Sequence, residues 1–292
     1  MANPVCLSPL KFYDDVAKQS HRKSYAHGHI SPLFTKLHWL PPFQFIIPSW
    51  LYAAGGAMSV AYLYDAKTDE RIGGNRITEF SNTGFGIYTY SGYKLCVCKS
   101  SVEIFTDVPE GIYYLKLASA NDTWAYYSEV FCFTNVTKDC LELEYWNETG
   151  DFTIKNGIIA FPSDFHFKLL LKSEIGKPEY NFEEESTKRL GYVYVESQVS
   201  KKTYKFNAVI PEYICDALRI VRLCDNKIIR CKDDEYEAIS FEMEADWQTQ
   251  GDLASVTCEF ETDNVIANIG GFVPDKLGGD YNNDYDDDFD KE

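Results

Sequence analysis

Phe85-Gly86-Ile87-Tyr88-Thr89-Tyr90-Ser91-Gly92-Tyr93-Lys94-Leu95-Cys96-Val97-Cys98 decides the fold class. Two runs of strand-favouring residues flank Ser91-Gly92, a two-residue loop suited to a tight hairpin. Working outward, Ile112–Ser119 and Trp124–Phe133 flank Ala120-Asn121-Asp122-Thr123, a second hairpin, in which Tyr113, Leu115 and Leu117 point one way. Further strands are read at Ser59–Asp65, Arg76–Phe80 and Leu141-Glu142-Leu143-Glu144-Tyr145-Trp146. Short strands at this spacing, with turn chemistry between them, predict a β-sandwich over residues 51–147.

A second β-rich block is expected over 148–272, with strands at 152–160, 165–172, 191–196, 202–210, 227–231, 236–243 and 254–262. One amphipathic helix is predicted at about 211–224. Pro211 suits a helix start, Glu212 suits the N-terminal dipole, and Tyr213, Ala217, Ile220, Val221 and Cys224 share a face from which Asp216 and Arg219 point away. The fold class is thus mainly β, with two sandwich-like domains. Residues 1–50 read as an extended arm, because three prolines interrupt the apolar run at 40–50. That arm either packs on its own chain or inserts into a neighbour. Residues 273–292, with the Asp-rich run at 284–290, read as a mobile acidic tail.

At 292 residues the chain exceeds the usual size of a single core, which is why two domains are expected. Its formal net charge of −17 disfavours nucleic acid, which needs counterion-displacing Lys and Arg, and disfavours an anionic membrane surface. No apolar stretch suits membrane insertion, and Met1–Ser24 lacks the pattern of a signal peptide. The nine Cys lie mostly within apolar runs and read as buried free thiols.

The sequence assigns no catalytic residue, cofactor or metal. Gly84-Phe85-Gly86 begins like a dinucleotide fingerprint but lacks the third glycine and the strand-to-helix turn. His21, His27, His29 and His38 lack carboxylate or thiol partners at a ligand spacing and read as a solvated arm. Glu142 and Glu144 share a strand face with Trp146, which reads as the wet face of a sheet before it reads as a glycosidase pair. Trp124, Tyr126 and Trp146 could present faces to sugars, but most aromatics in such a composition belong to core or interface.

The second block contains Leu169-Leu170-Leu171-Lys172-Ser173-Glu174-Ile175-Gly176-Lys177-Pro178-Glu179-Tyr180-Asn181-Phe182-Glu183-Glu184-Glu185, followed by Arg189-Leu190-Gly191-Tyr192 and Lys202-Thr203-Tyr204-Lys205-Phe206. Pro211-Glu212-Tyr213-Ile214-Cys215-Asp216-Ala217-Leu218-Arg219 and Gln250-Gly251-Asp252-Leu253-Ala254 complete the set. Together these strings resemble virion proteins of tailed bacteriophages of gut Bacteroidota, the crAss-like phages among them, over roughly residues 110–270. The resemblance implies a structural part of the tail, its baseplate or its fibre attachment, located in the virion and assembled in the host cytoplasm. The partners it implies are other tail proteins and copies of the same chain. A carbohydrate-binding adsorption module, with a host-surface glycan as partner, is the alternative, and a polysaccharide depolymerase the third. The expected assembly surface comprises Tyr180, Phe182, Glu183, Glu184, Glu185 and Gln250, carried on a Gly-Lys-Pro turn too irregular for a strand.

Overall fold

The strand Leu141–Trp146 lies within the principal sheet, antiparallel to Phe167–Leu171 on one edge and to Asn226–Cys231 on the other. This computed structural model describes residues 3–5, 8–19, 33–55, 58–76, 85–98, 102–103, 105–119, 121–135, 140–148, 152–154, 157–159, 165–189, 192–247, 253–262 and 266–269. The chain divides into two units, one of Met1–Lys177 with Tyr204–Glu261, the other of Pro178–Thr203 with Thr262–Glu292.

The protein is mainly β. In the first unit the principal sheet runs through Leu253–Thr262, Asp234–Trp247, Asn226–Cys231, Leu141–Trp146, Phe167–Leu171, Leu33–Lys36, Phe131–Thr134 and Gly111–Ser119. A separate antiparallel sheet places Tyr93–Cys98 between Phe43–Pro48 and Phe85–Tyr90, in the hairpin register that Ser91-Gly92 predicts. Alternation sends Leu141, Leu143 and Tyr145 inward, each with no exposed surface. Phe43, Phe45 and Ile47 of the small sheet belong to the same core. Phe12–Phe43 and Phe45–Tyr126 ring contacts at 5.0 and 5.3 Å tie the two sheets together, which makes the arrangement sandwich-like.

The expected boundary between residues 147 and 148 has no counterpart in this core. Leu141–Trp146 finds both of its partner strands in the expected second block, so the hydrogen-bond ladder crosses the boundary on both edges. Residues of the expected arm are likewise integral. Leu33–Lys36 sits between Phe131–Thr134 and Phe167–Leu171, and Phe43–Pro48 is a strand closed by Pro48 at its end. Of the two readings of that segment, packing on its own chain is the one observed. His21, His27 and His29, Gln250 and the tail at 273–292 lie outside the described residues.

The helix Glu212–Val221 buries Tyr213, Ile214, Cys215, Ala217, Leu218, Ile220 and Val221, and leaves Arg219 exposed. Its C-terminal end is met by the buried Lys227, whose Nζ donates to the Cys224 carbonyl at 2.6 Å. A second, unexpected helix, Ser49–Gly55, follows Pro48, where Ala53 and Ala54 favour helical backbone. Among the described residues no helix is long and apolar enough to cross a membrane. The expected strand Trp124–Phe133 is broken into Ala125–Ser128 and Phe131–Thr134. At the break the Ser128 hydroxyl accepts from the Leu115 N–H at 2.9 Å, in place of a ladder carbonyl.

The eight described cysteines are free thiols. Burial pushes Cys96, Cys224 and Cys258 up to about 12. At pH 8 the folded protein should therefore alkylate slowly at these positions and react fully in urea. Mass spectrometry of iodoacetamide adducts checks this, and rapid labelling of Cys258 in folded protein would contradict the packing. The Tyr145 hydroxyl is buried with no hydrogen-bond partner among the described residues. Tyr145→Phe should be neutral or stabilising by up to about 1 kcal/mol in urea unfolding, since it removes an unsatisfied polar atom and leaves the ring.

Candidate functional site

The face of Leu141–Trp146 opposite the core carries Glu142, Glu144 and Trp146. Register sets Arg230 directly across from Glu142 on one side and Lys168 across from Glu144 on the other. Arg230 Nη1 reaches Glu142 at 3.1 Å and Glu144 at 2.6 Å, while its Nε donates to Glu235 at 2.6 Å. Lys168 lies 3.5 Å from Glu144, and Lys36 lies 3.0 Å from Glu142. His166 Nδ1 is 2.9 Å from Glu144, and its ring stacks on Trp146 at 4.1 Å with planes 2° apart. Five strands thus contribute to one ladder of alternating charge.

Burial alone would push the Glu144 carboxyl up, but hydrogen bonds from Arg230 and His166 and the Lys168 charge outweigh it and hold the group below its ordinary value. The same contacts raise Arg230, against the cost of its own burial. A glycosidase acid must keep its proton near neutral pH. Glu144 is instead fixed as a carboxylate with both oxygens engaged. The ladder is therefore suited to holding strands in register.

Beside the ladder, still within the first unit, is a cleft of about 370 Å³ lined by Phe34, Lys36, Trp39, Glu142, Lys168 and Leu170, among others. Trp39 stands on the two-residue strand Trp39–Leu40, which pairs with Val102–Glu103. The turn before it is anchored twice. Leu37 N–H donates to the Thr134 carbonyl at 2.9 Å, and His38 Nε2 lies 2.8 Å from the Val108 carbonyl, which requires the proton on that nitrogen. His38 has φ 68°, a left-handed conformation that His tolerates better than most residues. No local sequence pattern marks this cleft. Its walls come from segments about 100 residues apart that meet only through sheet pairing.

Trp124 and Tyr126, considered as sugar platforms, are buried in the core, and Trp146 is covered on one face by His166. No group of three or more metal-ligating residues occurs among the described residues.

The second unit holds the expected assembly surface in an unexpected form. In the first unit, Ile175 bridges Phe206 and the Gly176 N–H donates to the Lys205 carbonyl at 2.8 Å. Tyr180, Phe182, Glu183, Glu184 and Glu185 then lie on the regular strand Glu179–Arg189, where an irregular turn was expected. It pairs with Tyr192–Pro211, a single strand that joins the expected strands 191–196 and 202–210. Ile266–Ile269 pairs with the same strand at Ser197–Ser200. One face of this three-stranded sheet carries a bonded polar set, with Lys201 on Glu183 at 2.8 Å and Asn181 on Thr203 at 2.9 Å, beside Val199. The opposite face carries Tyr180, Phe182 and Ile266 at 58%, 79% and 69% exposure. Phe182, Ser200 and Ile266 fall in one cross-strand row. Lys202 lies across from Tyr180 on one side of that row, and Glu184, bonded by Gln198, lies on the other.

No known protein family matches the chain, and no curated protein does.

Arg230→Met should cost about 3 kcal/mol at pH 7, because it leaves Glu144 partly buried without its closest cation. Glu144 titrates lower folded than unfolded, so its pairing adds stability above the unfolded value of about 4.3 and loses it as pH falls through the folded value. The gap between variant and parent should therefore narrow below about pH 4. Urea unfolding at pH 7 and pH 3 measures it, and an equal gap at both would refute the pairing.

Proposed function

We propose that this chain is a structural component of a bacteriophage virion, in the tail at its baseplate or fibre attachment, and that it works by protein–protein assembly. The setting comes from the resemblance of residues 110–270 to tail proteins of Bacteroidota phages. The observation that carries the assembly role is the uncovered row of Tyr180, Phe182 and Ile266 on the second unit's sheet.

A small sheet gains independent stability by covering an apolar face. Among the described residues this face stays open, and aromatic side chains supply large contact area at low entropic cost. Its charges suggest the occupant. Lys202 and Glu184 flank the Phe182 row on opposite sides. A two-fold axis through that row would set Lys202 of one copy against Glu184 of the next, which makes the face self-complementary. The docking partner of this surface is therefore a second copy of the chain. Glu183 and Glu185 lie on the other face, where they hold the hairpin together through Lys201 and Ser197.

Phe182→Glu sets like charges together at the axis and touches no core residue, so folding should be unchanged by circular dichroism. Sedimentation velocity should show the parent chain self-associating and the variant weakened by more than about tenfold. In particles complemented with the variant, incorporation should fall in parallel. A parent chain that stays monomeric, or a variant that associates and incorporates normally, would sink the proposal.

A further inference from the structure

We propose that the cleft between Trp39 and the Glu142 ladder is a binding site for a neutral saccharide. The inference does not rest on the assembly reading, since the cleft belongs to the first unit.

Size is the first argument: about 370 Å³ falls within the range of small-ligand sites, roughly 300–1,000 Å³. The wall is the second. Trp39 is 38% exposed beside the cleft, although Leu40 next to it is fully buried. Trp39, with Pro41 and Leu170 also lining the cleft, offers apolar surface of the kind on which the C–H face of a sugar ring packs. Because the His38 turn is fixed at both Leu37 and His38, this wall is set before any ligand arrives, which lowers the entropic cost of binding.

The floor decides the ligand class. Lys36 and Lys168 offer donors, and Glu142 offers acceptors, side by side. Each is already paired: Lys36 with Glu142 at 3.0 Å, and Lys168 with Glu144 at 3.5 Å. An anionic ligand would compete with two carboxylates for the same ammonium groups. A cation would face both lysines. A hydroxyl group, which donates and accepts at once, joins such pairs without breaking them. Neutral sugars present several hydroxyls around an apolar ring face, and so match both floor and wall.

The test is ligand-observed and protein-observed NMR on the full chain, with maltose, cellobiose, lactose and diacetylchitobiose as neutral probes and sialyllactose as the acidic counterpart of lactose. At least one neutral disaccharide should bind saturably at millimolar concentration and shift the Trp39 indole N–H resonance, assigned by its loss in Trp39→Phe. Trp39→Ala should weaken that binding about tenfold. Saturation by none of the neutral sugars, or unchanged affinity in Trp39→Ala, would overturn the proposal, as would tighter binding of sialyllactose than of lactose. Should Trp39→Ala not fold, the parent decides alone: binding that leaves the Trp39 resonance unmoved overturns the site.

Discussion

Two carboxylates on the same face of one strand repel each other, and the sheet cannot place Leu141, Leu143 and Tyr145 in the core without placing Glu142 and Glu144 together on the other side. The neighbouring strands meet that constraint by supplying cations at matching positions, Arg230 from one edge and Lys168 from the other, with Lys36 reaching in from a third strand. The result fixes register as well as charge. A one-residue slip of Leu141–Trp146 would send the carboxylates into the apolar core and the leucines to solvent. The ladder thus specifies one arrangement of strands that a purely apolar pattern would define less sharply.

The second unit follows the opposite economy. Its sheet is long, one face is stitched by side-chain hydrogen bonds, and the other keeps two aromatic rings and an isoleucine in solvent. The first unit holds the large buried core, while the second keeps Tyr180, Phe182 and Ile266 exposed on one sheet face.

Legibility in the sequence followed how local the signal was. The hairpin at Phe85–Cys98 was readable because alternation and Ser91-Gly92 agree within 14 residues, and the helix Glu212–Val221 because its apolar period is 3.6. Glu179–Arg189 was hidden, since alternation reports a strand only when one face is buried, and here neither is. Polar residues from Glu196 to Lys202 similarly disguised one strand as two. Glu142 and Glu144 looked like a wet face because their partners are distant in sequence, although Lys168 and Arg230 were each present at a charge-bearing strand position. The Trp39 cleft had no local signal at all, and a domain boundary at residue 147 followed from length, which is blind to a ladder crossing it.

Leu33–Lys36 is the strand with the most to say about how the molecule comes into being. It is parallel to Phe131–Thr134 and antiparallel to Phe167–Leu171, so both of its neighbours are made about 100 residues or more after it. On the ribosome this segment waits with both edges unpaired until Phe131–Thr134 is made, and its second edge is covered only by Phe167–Leu171. Such long-range pairing slows folding and exposes unpaired edges to other chains meanwhile. The order of synthesis therefore differs from the order of pairing: a strand at the centre of the sheet is made early and must wait for both of its neighbours.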